Sequence, residues 1–223
     1  MRFDENAISS PGEFLFDPAA FALGAMPVSE GGRQAAWFVQ GDFGDAVLRH
    51  YRRGGMVAQL SSDSYIWTGA ASTRSFSEFN LLSVLYNQDF PVPRPLAAVY
   101  WRRGMTYRAA LLTRRIANAQ TLAALLDSDL QQKVARVIFD MHEAGVWHAD
   151  LNVFNILVDP YEKVWMIDFD RGRREALLSL ARRNSNLFRL RRSLIKVAGS
   201  HGLAWWDKLN EAYIRLLHAK EHI

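Results

Sequence analysis

The sequence predicts an α+β fold of two lobes, in which an antiparallel sheet with one helix comes first and a mainly helical lobe follows. Up to about residue 113, short apolar runs alternate with glycine and proline turns, which is typical of antiparallel strands. Beyond that point, apolar residues recur at helical spacing. Two short polar motifs, at 148–155 and 167–170, interrupt the second pattern. We therefore place the first lobe at residues 1–113 and the second at residues 114–223.

The composition indicates a folded chain with a full hydrophobic core. Its 223 residues are 49% hydrophobic and include 14 Gly and 7 Pro. The absence of cysteine excludes disulfides and thiolate metal sites, and we expect a reducing compartment. The residues after Met1 form no apolar signal region, and no apolar run reaches about 18 residues, so we expect neither secretion nor a membrane span. The net charge of +4 favours an anionic partner.

The first lobe begins with strands. Residues 35–39 and 46–49 are apolar runs joined by the turn GDFG at 41–44, which predicts a β-hairpin and a third strand. An amphipathic helix follows, predicted by apolar residues at a spacing of three: Phe76, Phe79, Leu82 and Leu85.

A proline-rich connector follows this helix. PVPRP at 91–95 ends regular structure, because proline lacks a donor and restricts its predecessor. Two further strands are expected at 96–100 and 107–113, around the basic turn RRG at 102–104.

The second lobe begins with an amphipathic helix. SDLQ at 128–131 is a capping box, apolar residues follow at spacings of three and four, and Gly145 ends the helix. Strands at 156–158 and 164–167, joined by an Asp-Pro turn, form a hairpin that delivers Asp168 at its end.

Two polar motifs flank this hairpin: HADLNVFN at 148–155 and IDFD at 167–170. Phosphoryl transfer requires a carboxylate beside the attacking hydroxyl and oxygen ligands for magnesium, and Asp150, Asn155 and Asp168 supply these groups. Their spacing is similar to the protein-kinase catalytic loop H-x-D-x-x-x-x-N and the following D-F-G, with DFD here. The alternative is a polar turn and a surface aspartate. Two motifs in this order and context favour a phosphotransferase.

A phosphotransferase of this kind also needs a phosphate cover, a phosphate-binding cation and a carboxylate that positions the cation. Gly31 and Gly32 let the backbone approach phosphates, although such a pair is equally typical of a hairpin turn. Arg49 occupies the place of the lysine in V-A-I-K, and its guanidinium also pairs with phosphate. Glu78 is its expected partner. The alternative is that Glu78 only completes a capping box with Ser75.

The hinge for the adenine of ATP is expected at residues 113–117, beginning with Thr113. Backbone groups make such contacts, so the side chains of this segment do not identify them.

Several segments together resemble the bacterial 3-deoxy-D-manno-octulosonic acid (Kdo) kinases, within the lipopolysaccharide kinases and the protein-kinase-like superfamily. Beyond the two polar motifs, they are RHYRRGG at 49–55, TRSFSEF at 73–79 and PVPRP at 91–95. The likeness extends from about Gly31 to Lys196, and RHYRRGG is the block that points to Kdo. Heptose kinases are the nearest alternative.

This resemblance implies a protein-kinase-like fold and ATP-dependent phosphorylation of the 4-hydroxyl of Kdo on a lipid A precursor at the inner membrane. It implies Asp150 as base and Asn155 and Asp168 as Mg²⁺ ligands. A peripheral position on the cytoplasmic face of the bacterial inner membrane follows, with no obligate protein partner.

The acceptor is not expected to be a protein. Protein kinases follow DFG with a long segment that ends in A-P-E, whereas here RGRR at 171–174 leads directly to a helical pattern at 175–180. Asn152 stands where protein kinases usually have lysine, and its amide suits a hydrogen bond to an acceptor hydroxyl. The alternative for Asn152 is a turn-capping role.

A basic segment runs from Arg171 to Lys196, with nine Arg or Lys residues and one acid, Glu175. Its cations alternate with apolar residues, an arrangement that lies well on an anionic lipid surface, although most charge runs are only solvated helix faces. The residues predicted to bind anionic groups of the acceptor or membrane are Arg52, Arg53, Arg171, Arg182 and Arg183.

Two other classes stay open. A small-molecule phosphotransferase of the aminoglycoside type also has a short catalytic loop and no peptide platform, but its substrates are cationic and this surface is not acidic. A nucleic-acid-binding or scaffolding pseudokinase would use the same basic segment. Because the catalytic carboxylates are all present, we expect an enzyme with no nucleic-acid partner.

Overall fold

The structure is a computed structural model that describes residues 1–21, 24–28, 36–52 and 64–221. These residues form a mixed α/β fold with antiparallel sheets and three α-helices, which confirms the predicted fold class at that level. Gly31, Gly32 and Arg53 lie outside the described residues. The chain divides into two compact units: Met1–Asn87 with Pro93–Arg115, and Gln88–Val92 with Ile116–Ile223.

A seven-stranded antiparallel sheet is the frame of the first unit, in the order β1-β6-β7-β4-β3-β2, with β5 also pairing with β7. Its strands in chain order are β1 Arg2–Phe3, β2 Met26–Pro27, β3 Ala36–Gly41, β4 Gly44–His50, β5 Tyr65–Ile66, β6 Pro95–Arg103 and β7 Thr106–Arg114.

The predicted β3–β4 hairpin is confirmed. Gly41 pairs with Gly44 across the turn, and Gly44 has a φ of 82°, a left-handed conformation that glycine adopts without strain. Along β4, Ala46 and Leu48 are fully buried while their neighbours are more exposed, as the two-residue period of a strand requires. These two residues belong to a hydrophobic cluster that also includes Leu96, while the helix of this unit buries its apolar residues against β6.

Helix α1, Arg74–Asn87, packs against β6. Its predicted apolar residues are buried, and the capping box between Ser75 and Glu78, which was the alternative to the Arg49 pair, does not form. Ser75 is buried and its hydroxyl donates to the carbonyl of Val99 at 2.8 Å. The helix instead begins after Thr73, whose carbonyl accepts the first helical bond, from the amide of Ser77.

The second unit contains two long helices and short strands. Its elements are β8 Gln120–Thr121, α2 Gln131–Glu143, β9 Val146–Trp147, β10 Ile156–Val158, β11 Val164–Met166, β12 Arg173–Arg174 and α3 Leu180–Glu221. The strands pair as β11-β10-β8 and β12-β9, α2 packs along α3, and α3 kinks at Gly199. None of the helices in the described ranges combines the length and apolar character needed to cross a bilayer.

Helix α2 begins later than predicted. The capping box at Ser128 is wrong, because Ser128 lies in a turn, where its amide donates to the carbonyl of Leu125, and Leu130 is the N-cap. The predicted stop at Gly145 is confirmed. Gly145 has a φ of 74°, and a Cβ there would lie 1.9 Å from the carbonyl oxygen of Glu175, so no other residue fits.

The helical pattern predicted at 175–180 is also wrong. Arg173–Arg174 forms β12 against β9, and the amide of Glu175 donates to the carbonyl of Gly145 at 2.9 Å. These tertiary hydrogen bonds keep Arg173–Glu175 out of a helix, and α3 begins only at Leu180.

A buried polar cluster joins α2 to α3. His142 on α2 is fully buried, with Nδ1 2.7 Å from the hydroxyl of Tyr213 and Nε2 3.3 Å from Oδ1 of Asn186. In the neutral tautomer that fits both contacts, Nε2–H donates to Asn186 and Nδ1 accepts from Tyr213. Burial lowers the pKa of His142 to about 4.

This pKa predicts a dependence of stability on pH. Between the ordinary pKa of 6.5 and about 4, the unfolded chain protonates His142 and the folded chain does not. The stability that the neutral, buried His142 provides is therefore fully present above pH 6.5 and is lost as the pH falls toward 4. The free energy of unfolding should fall by about 3 kcal/mol over this range. His142→Gln should be less stable near neutrality but should lose less stability on acidification, as measured by urea unfolding across this range.

Burial also lowers the pKa of His50 and His148, so part of the acid sensitivity remains in the variant. His218→Gln, at an exposed position of α3, is the matched control and should reproduce the wild-type curve. A wild-type pH dependence in His142→Gln would contradict the assignment.

Candidate active site

The two polar motifs meet at His148. This residue is fully buried, and its Nε2 lies 2.9 Å from the carbonyl oxygen of Ile167, to which it donates. Its Nδ1 accepts a hydrogen bond from the amide of Asp150 at 3.1 Å, and its ring packs against Phe169 at 4.7 Å between centroids. Burial lowers the pKa of His148, which keeps the ring neutral for these contacts. One side chain thus fixes the start of the loop at 148–155 and both neighbours of Asp168.

Asp150 presents its carboxylate to the outside of the loop. Its side chain is 61% exposed, whereas its backbone carbonyl accepts from Nδ2 of Asn152 at 3.0 Å and from Nδ2 of Asn155 at 2.9 Å. These bonds fix the backbone while the carboxylate stays accessible. Nη1 of Arg189 lies 3.2 Å from Oδ1 of Asp150.

Asn152 serves the turn. Besides the bond from its Nδ2, its Oδ1 accepts from the amide of Phe154 at 2.9 Å. Both the oxygen and the nitrogen of the Asn152 side chain therefore form hydrogen bonds within the loop. This is an Asx-type turn, the turn-capping role that was the alternative prediction for Asn152. Its contact with an acceptor hydroxyl stays a prediction.

Asn155 and Asp168 stand at the same end of the β10–β11 hairpin. Ile156 pairs with Met166, and the amide of Ile167 donates to the carbonyl of Asn155 at 3.0 Å. Asn155 therefore lies opposite Ile167, the residue that precedes Asp168. Asp168 has a φ of 61°, a left-handed conformation that aspartate tolerates at some cost and that is typical of functional positions.

The donor set suits a hard cation such as magnesium. Since Nδ2 of Asn155 is held by Asp150, its Oδ1 points elsewhere, and within the part of the chain that the structure describes no donor bonds to it. An amide oxygen and a carboxylate are ligands that magnesium prefers. Across the described residues, no three His, Asp or Glu side chains cluster closely enough to hold a metal by themselves. A cation here would therefore take its other ligands from phosphates and water.

The first unit holds the predicted ion pair. Nη2 of Arg49 on β4 lies 2.5 Å from Oε2 of Glu78 on α1, and Glu78 is 2% exposed. The prediction that Glu78 pairs with Arg49 is confirmed. Tyr51 was missed: its hydroxyl donates to Oε2 of Glu78 at 2.6 Å, and the Arg49 guanidinium lies 4.8 Å from its ring centroid. Its position two residues after Arg49, on the same face of an extended chain, was the available signal.

The other candidates lie in varied places. Thr113, near the end of β7, is half-buried and pairs with Val47 and Pro95. Arg52 is exposed just after β4, and Arg171 is exposed, with Nε 3.9 Å from Asp170. No function follows for these residues from their contacts alone.

Arg183 has a structural role and is not available to a membrane or an acceptor. It is 6% exposed, its Nη1 lies 2.7 Å from Oε1 of Glu143, and its Nε donates to the carbonyl of Leu178. The charge run placed it on a solvated surface, but helix packing turns it inward. Arg182 is more accessible, with Nε 3.4 Å from Glu175 and its guanidinium 4.7 Å from the Trp147 ring.

Sequence reasoning missed Asn186, the residue that fixes the backbone of His148. Oδ1 of Asn186 accepts from the amide of His148 at 3.2 Å, and Nδ2 donates to its carbonyl at 2.5 Å. One turn on either side of Arg189, Asn186 and Ser193 both contact the loop, the latter by accepting from the amide of Val153 at 3.3 Å. The signal was a polar residue among the buried positions of α3.

A polar loop with a protruding carboxylate, followed by a hairpin that presents an amide and a second carboxylate, defines a phosphotransferase class of site. The comparisons with known proteins identify the family. The chain belongs to the lipopolysaccharide kinase (Kdo/WaaP) family, whose model matches residues 20–213. The family resemblance predicted from the sequence is confirmed, and with it the prediction of a kinase.

Several curated relatives cover nearly the whole chain. The 3-deoxy-D-manno-octulosonic acid kinase of Stenotrophomonas maltophilia (strain R551-3) is 45% identical over 97% of this chain and 87% of its own length. Those of Xylella fastidiosa (strain M12) and Xanthomonas campestris pv. campestris (strain B100) are 47% and 44% identical, over 89% and 98% of this chain and 83% and 88% of their own lengths.

The contacts of Asn186 generate a prediction. Asn186→Ala leaves the buried amide and carbonyl of His148 without partners, and each unsatisfied group costs about 1–3 kcal/mol. We expect the free energy of unfolding to fall by about 2–4 kcal/mol. Asn184→Ala, at an exposed position of the same helix, should change it by less than about 0.5 kcal/mol. Equal unfolding curves for the two variants would show that Asn186 does not support the loop.

Proposed function

We propose that this protein uses ATP and Mg²⁺ to phosphorylate the 4-hydroxyl of Kdo on a lipid A precursor, during assembly of the lipopolysaccharide inner core. The observation that carries the proposal is the loop at 148–155, which presents Asp150 outward beside Asn155 and Asp168. Membership of the lipopolysaccharide kinase family supports it, as do relatives that are named for Kdo as their substrate.

Each residue has a chemical task in this proposal. Bound ATP with Mg²⁺ supplies the phosphoryl group and neutralises its charge. Asp150 orients the acceptor hydroxyl and takes its proton as the new phosphorus–oxygen bond forms and the bond to ADP breaks. Asn155 and Asp168 hold the metal through their oxygens. Arg49, positioned by Glu78, binds the phosphates, for which its planar fork is suited.

The finer description of the fold is part of the proposal. We assign the first unit as an N-lobe of kinase type, with Gly31 and Gly32 covering the phosphates and Thr113 opening the hinge. The second unit is the C-lobe with the catalytic hairpin. These assignments rest on the family and on the order of the elements along the chain.

The chain between the hairpin and α3 supports an acceptor other than a protein. It leaves Asp170, pairs as Arg173–Arg174 with β9 and enters α3 at Leu180. This short path contains no segment of the kind that protein kinases use as a peptide platform. A sugar hydroxyl reaches an exposed carboxylate such as Asp150 without such a platform.

A lipid-borne acceptor requires access from a membrane surface, and we propose a peripheral position on the cytoplasmic face of the inner membrane. Phe154, in the catalytic loop, is 52% exposed, and Phe188, on α3, is 57% exposed. Arg192 and Lys196 are exposed on the same helix. Aromatic residues among cations suit the interface of an anionic bilayer, and Phe154 lies in the loop that carries Asp150.

The acceptor is tested by supplying several acceptors in parallel to the same enzyme with labelled ATP. Kdo-lipid A precursor should be phosphorylated, while a heptosylated acceptor without free Kdo and an aminoglycoside should not. Preference for either of the latter would establish the corresponding alternative. Salt-sensitive binding of RNA or DNA without any transfer would instead indicate a pseudokinase.

Asp150→Asn tests the base. The change keeps the shape of the side chain and removes its charge, so folding should be preserved while turnover falls by about a hundredfold or more. The measurement is the initial rate of phosphate transfer to Kdo-lipid A precursor, with thermal unfolding as the check on folding. Asp207→Asn, at an exposed position of α3, is the matched control. Wild-type turnover in Asp150→Asn would remove this residue from the mechanism.

The membrane contact is tested by removing its charge and its aromatic group. Arg192→Gln with Lys196→Gln and Phe188→Ser should weaken binding to vesicles that contain anionic phospholipid, by about 1 kcal/mol for each cation. Wild-type binding should weaken as salt rises. Lys208→Gln with Arg215→Gln removes equal charge beyond the kink of α3 and should leave binding unchanged. An equal loss of vesicle binding in both sets of variants would show that only the net charge of the protein determines binding.

A further inference from the structure

One face of α3 is built against the catalytic loop. Asn186 bonds to the backbone of His148, Arg189 to the carboxylate of Asp150 and Ser193 to the amide of Val153. Residues three and four apart lie on the same side of a helix. Arg189 therefore occupies the middle of a contact face that is anchored one turn before and one turn after it.

This placement separates Arg189 from the rest of the basic segment. Its side chain is 39% exposed and its Nη1 lies 3.2 Å from Oδ1 of Asp150, whereas Arg192 and Lys196 are exposed and form no hydrogen bond or ion pair with the described residues of the loop. An exposed ion pair adds little to stability, so the pairing has no structural purpose comparable to that of Arg183 with Glu143. Among the described residues, none accepts a hydrogen bond from Nε or Nη2 of Arg189. Two of the three guanidinium nitrogens, Nε and Nη2, thus remain for a ligand.

The loop itself lacks a cation. At the position where protein kinases usually have lysine, this chain has Asn152, and both ends of that amide are used in the turn. During phosphoryl transfer, negative charge develops on the oxygens of the group in flight, and a positioned cation stabilises that charge. The charge must come from another element of the fold.

We propose that Arg189 is this cation: it pairs with Asp150 in the free protein and donates to the oxygens of the transferred phosphoryl group during the reaction. The inference rests on the proposed phosphotransferase function and extends it to a residue on α3. In the step, the bond between the γ-phosphorus and its bridging oxygen breaks and a bond to the acceptor oxygen forms. The acceptor proton passes to Asp150, and Arg189 keeps its charge throughout.

Arg189 also keeps Asp150 ready for its task. A guanidinium that donates to a carboxylate holds it in one orientation, so the carboxylate is positioned to accept the hydroxyl proton. In this proposal, Arg189 contacts both the base and the phosphoryl group. This role requires it to lie on the face of α3 that contacts the loop.

The test compares Arg189→Gln with Arg215→Gln, which removes the same charge from an exposed position of the same helix. Two reactions are followed: transfer to a short soluble Kdo glycoside, and slow hydrolysis of ATP to ADP without acceptor. Neither depends on membrane recruitment. Arg189→Gln should lower kcat in both reactions by about a hundredfold, with little change in the KM of either substrate, while Arg215→Gln should stay within about twofold of wild type. Thermal unfolding confirms that both variants fold.

A relocated cation makes the test specific. Asn152→Lys restores a positive charge at the position that protein kinases use, and combined with Arg189→Gln it should recover at least about tenfold of the lost kcat. Asn152→Lys alone shows how well the loop tolerates the lysine. Added guanidinium ion should also raise the rate of Arg189→Ala, because it replaces the missing group, whereas a structural role would show no such rescue.

The outcomes separate this inference from the proposed function. An unchanged kcat in Arg189→Gln overturns the inference and reduces the pair to a surface contact. A loss confined to the KM of the Kdo acceptor also overturns it, and assigns Arg189 to the acceptor carboxylate. If the wild-type protein hydrolyses ATP but does not phosphorylate Kdo, a loss of ATP hydrolysis in Arg189→Gln still supports the role of Arg189. That result contradicts only the proposed acceptor. A wild-type protein that turns over ATP in neither reaction contradicts both.

Discussion

The buried imidazole of His148 is the contact on which the candidate active site depends. Removing this ring from water is costly, and the cost is offset because both nitrogens have partners: the carbonyl of Ile167 and the amide of Asp150. The ring thereby ties the loop to the strand end that carries Asp168. Asn186 forms hydrogen bonds with both the backbone amide and the backbone carbonyl of His148, so the backbone of this residue is held as well as its ring. A site that presents charged groups to a substrate needs such a rigid support, because orientation supplies much of the rate enhancement.

The basic segment divides into residues with different physical roles. Arg183 is turned into the second unit, where it pairs with Glu143, which also accepts from Lys220. Arg189 reaches the loop, and Arg192 faces solvent. The same residue type thus supports packing, meets the carboxylate of Asp150 or remains available to an anionic surface. Burial and partners decide between these roles, which the number of arginines in a segment does not reveal.

Local signals predicted much of this structure. The β3–β4 hairpin, the stop of α2 at Gly145 and the β10–β11 hairpin follow from turn residues and from the two-residue period of strands. The pair of Arg49 with Glu78 followed from the order of motifs along the chain. The capping box predicted at Ser128 is wrong, because the amide of Ser128 bonds to the carbonyl of Leu125 in a turn. The alternative of a capping box at Ser75 is excluded, because Ser75 bonds to a neighbouring strand. Asn186 and the inward turn of Arg183 depend on how α3 packs against α2, and no local pattern encodes that packing.

The central claim is that the site around Asp150 transfers a phosphoryl group to one hydroxyl of Kdo. The position of the newly added phosphate on the product tests this claim most directly. Phosphorus–proton correlated NMR of the purified glycolipid product should show one phosphomonoester that the acceptor lacks, coupled to the proton on carbon 4 of Kdo. A new phosphate on another sugar, on another carbon of Kdo or on the protein itself would contradict the account.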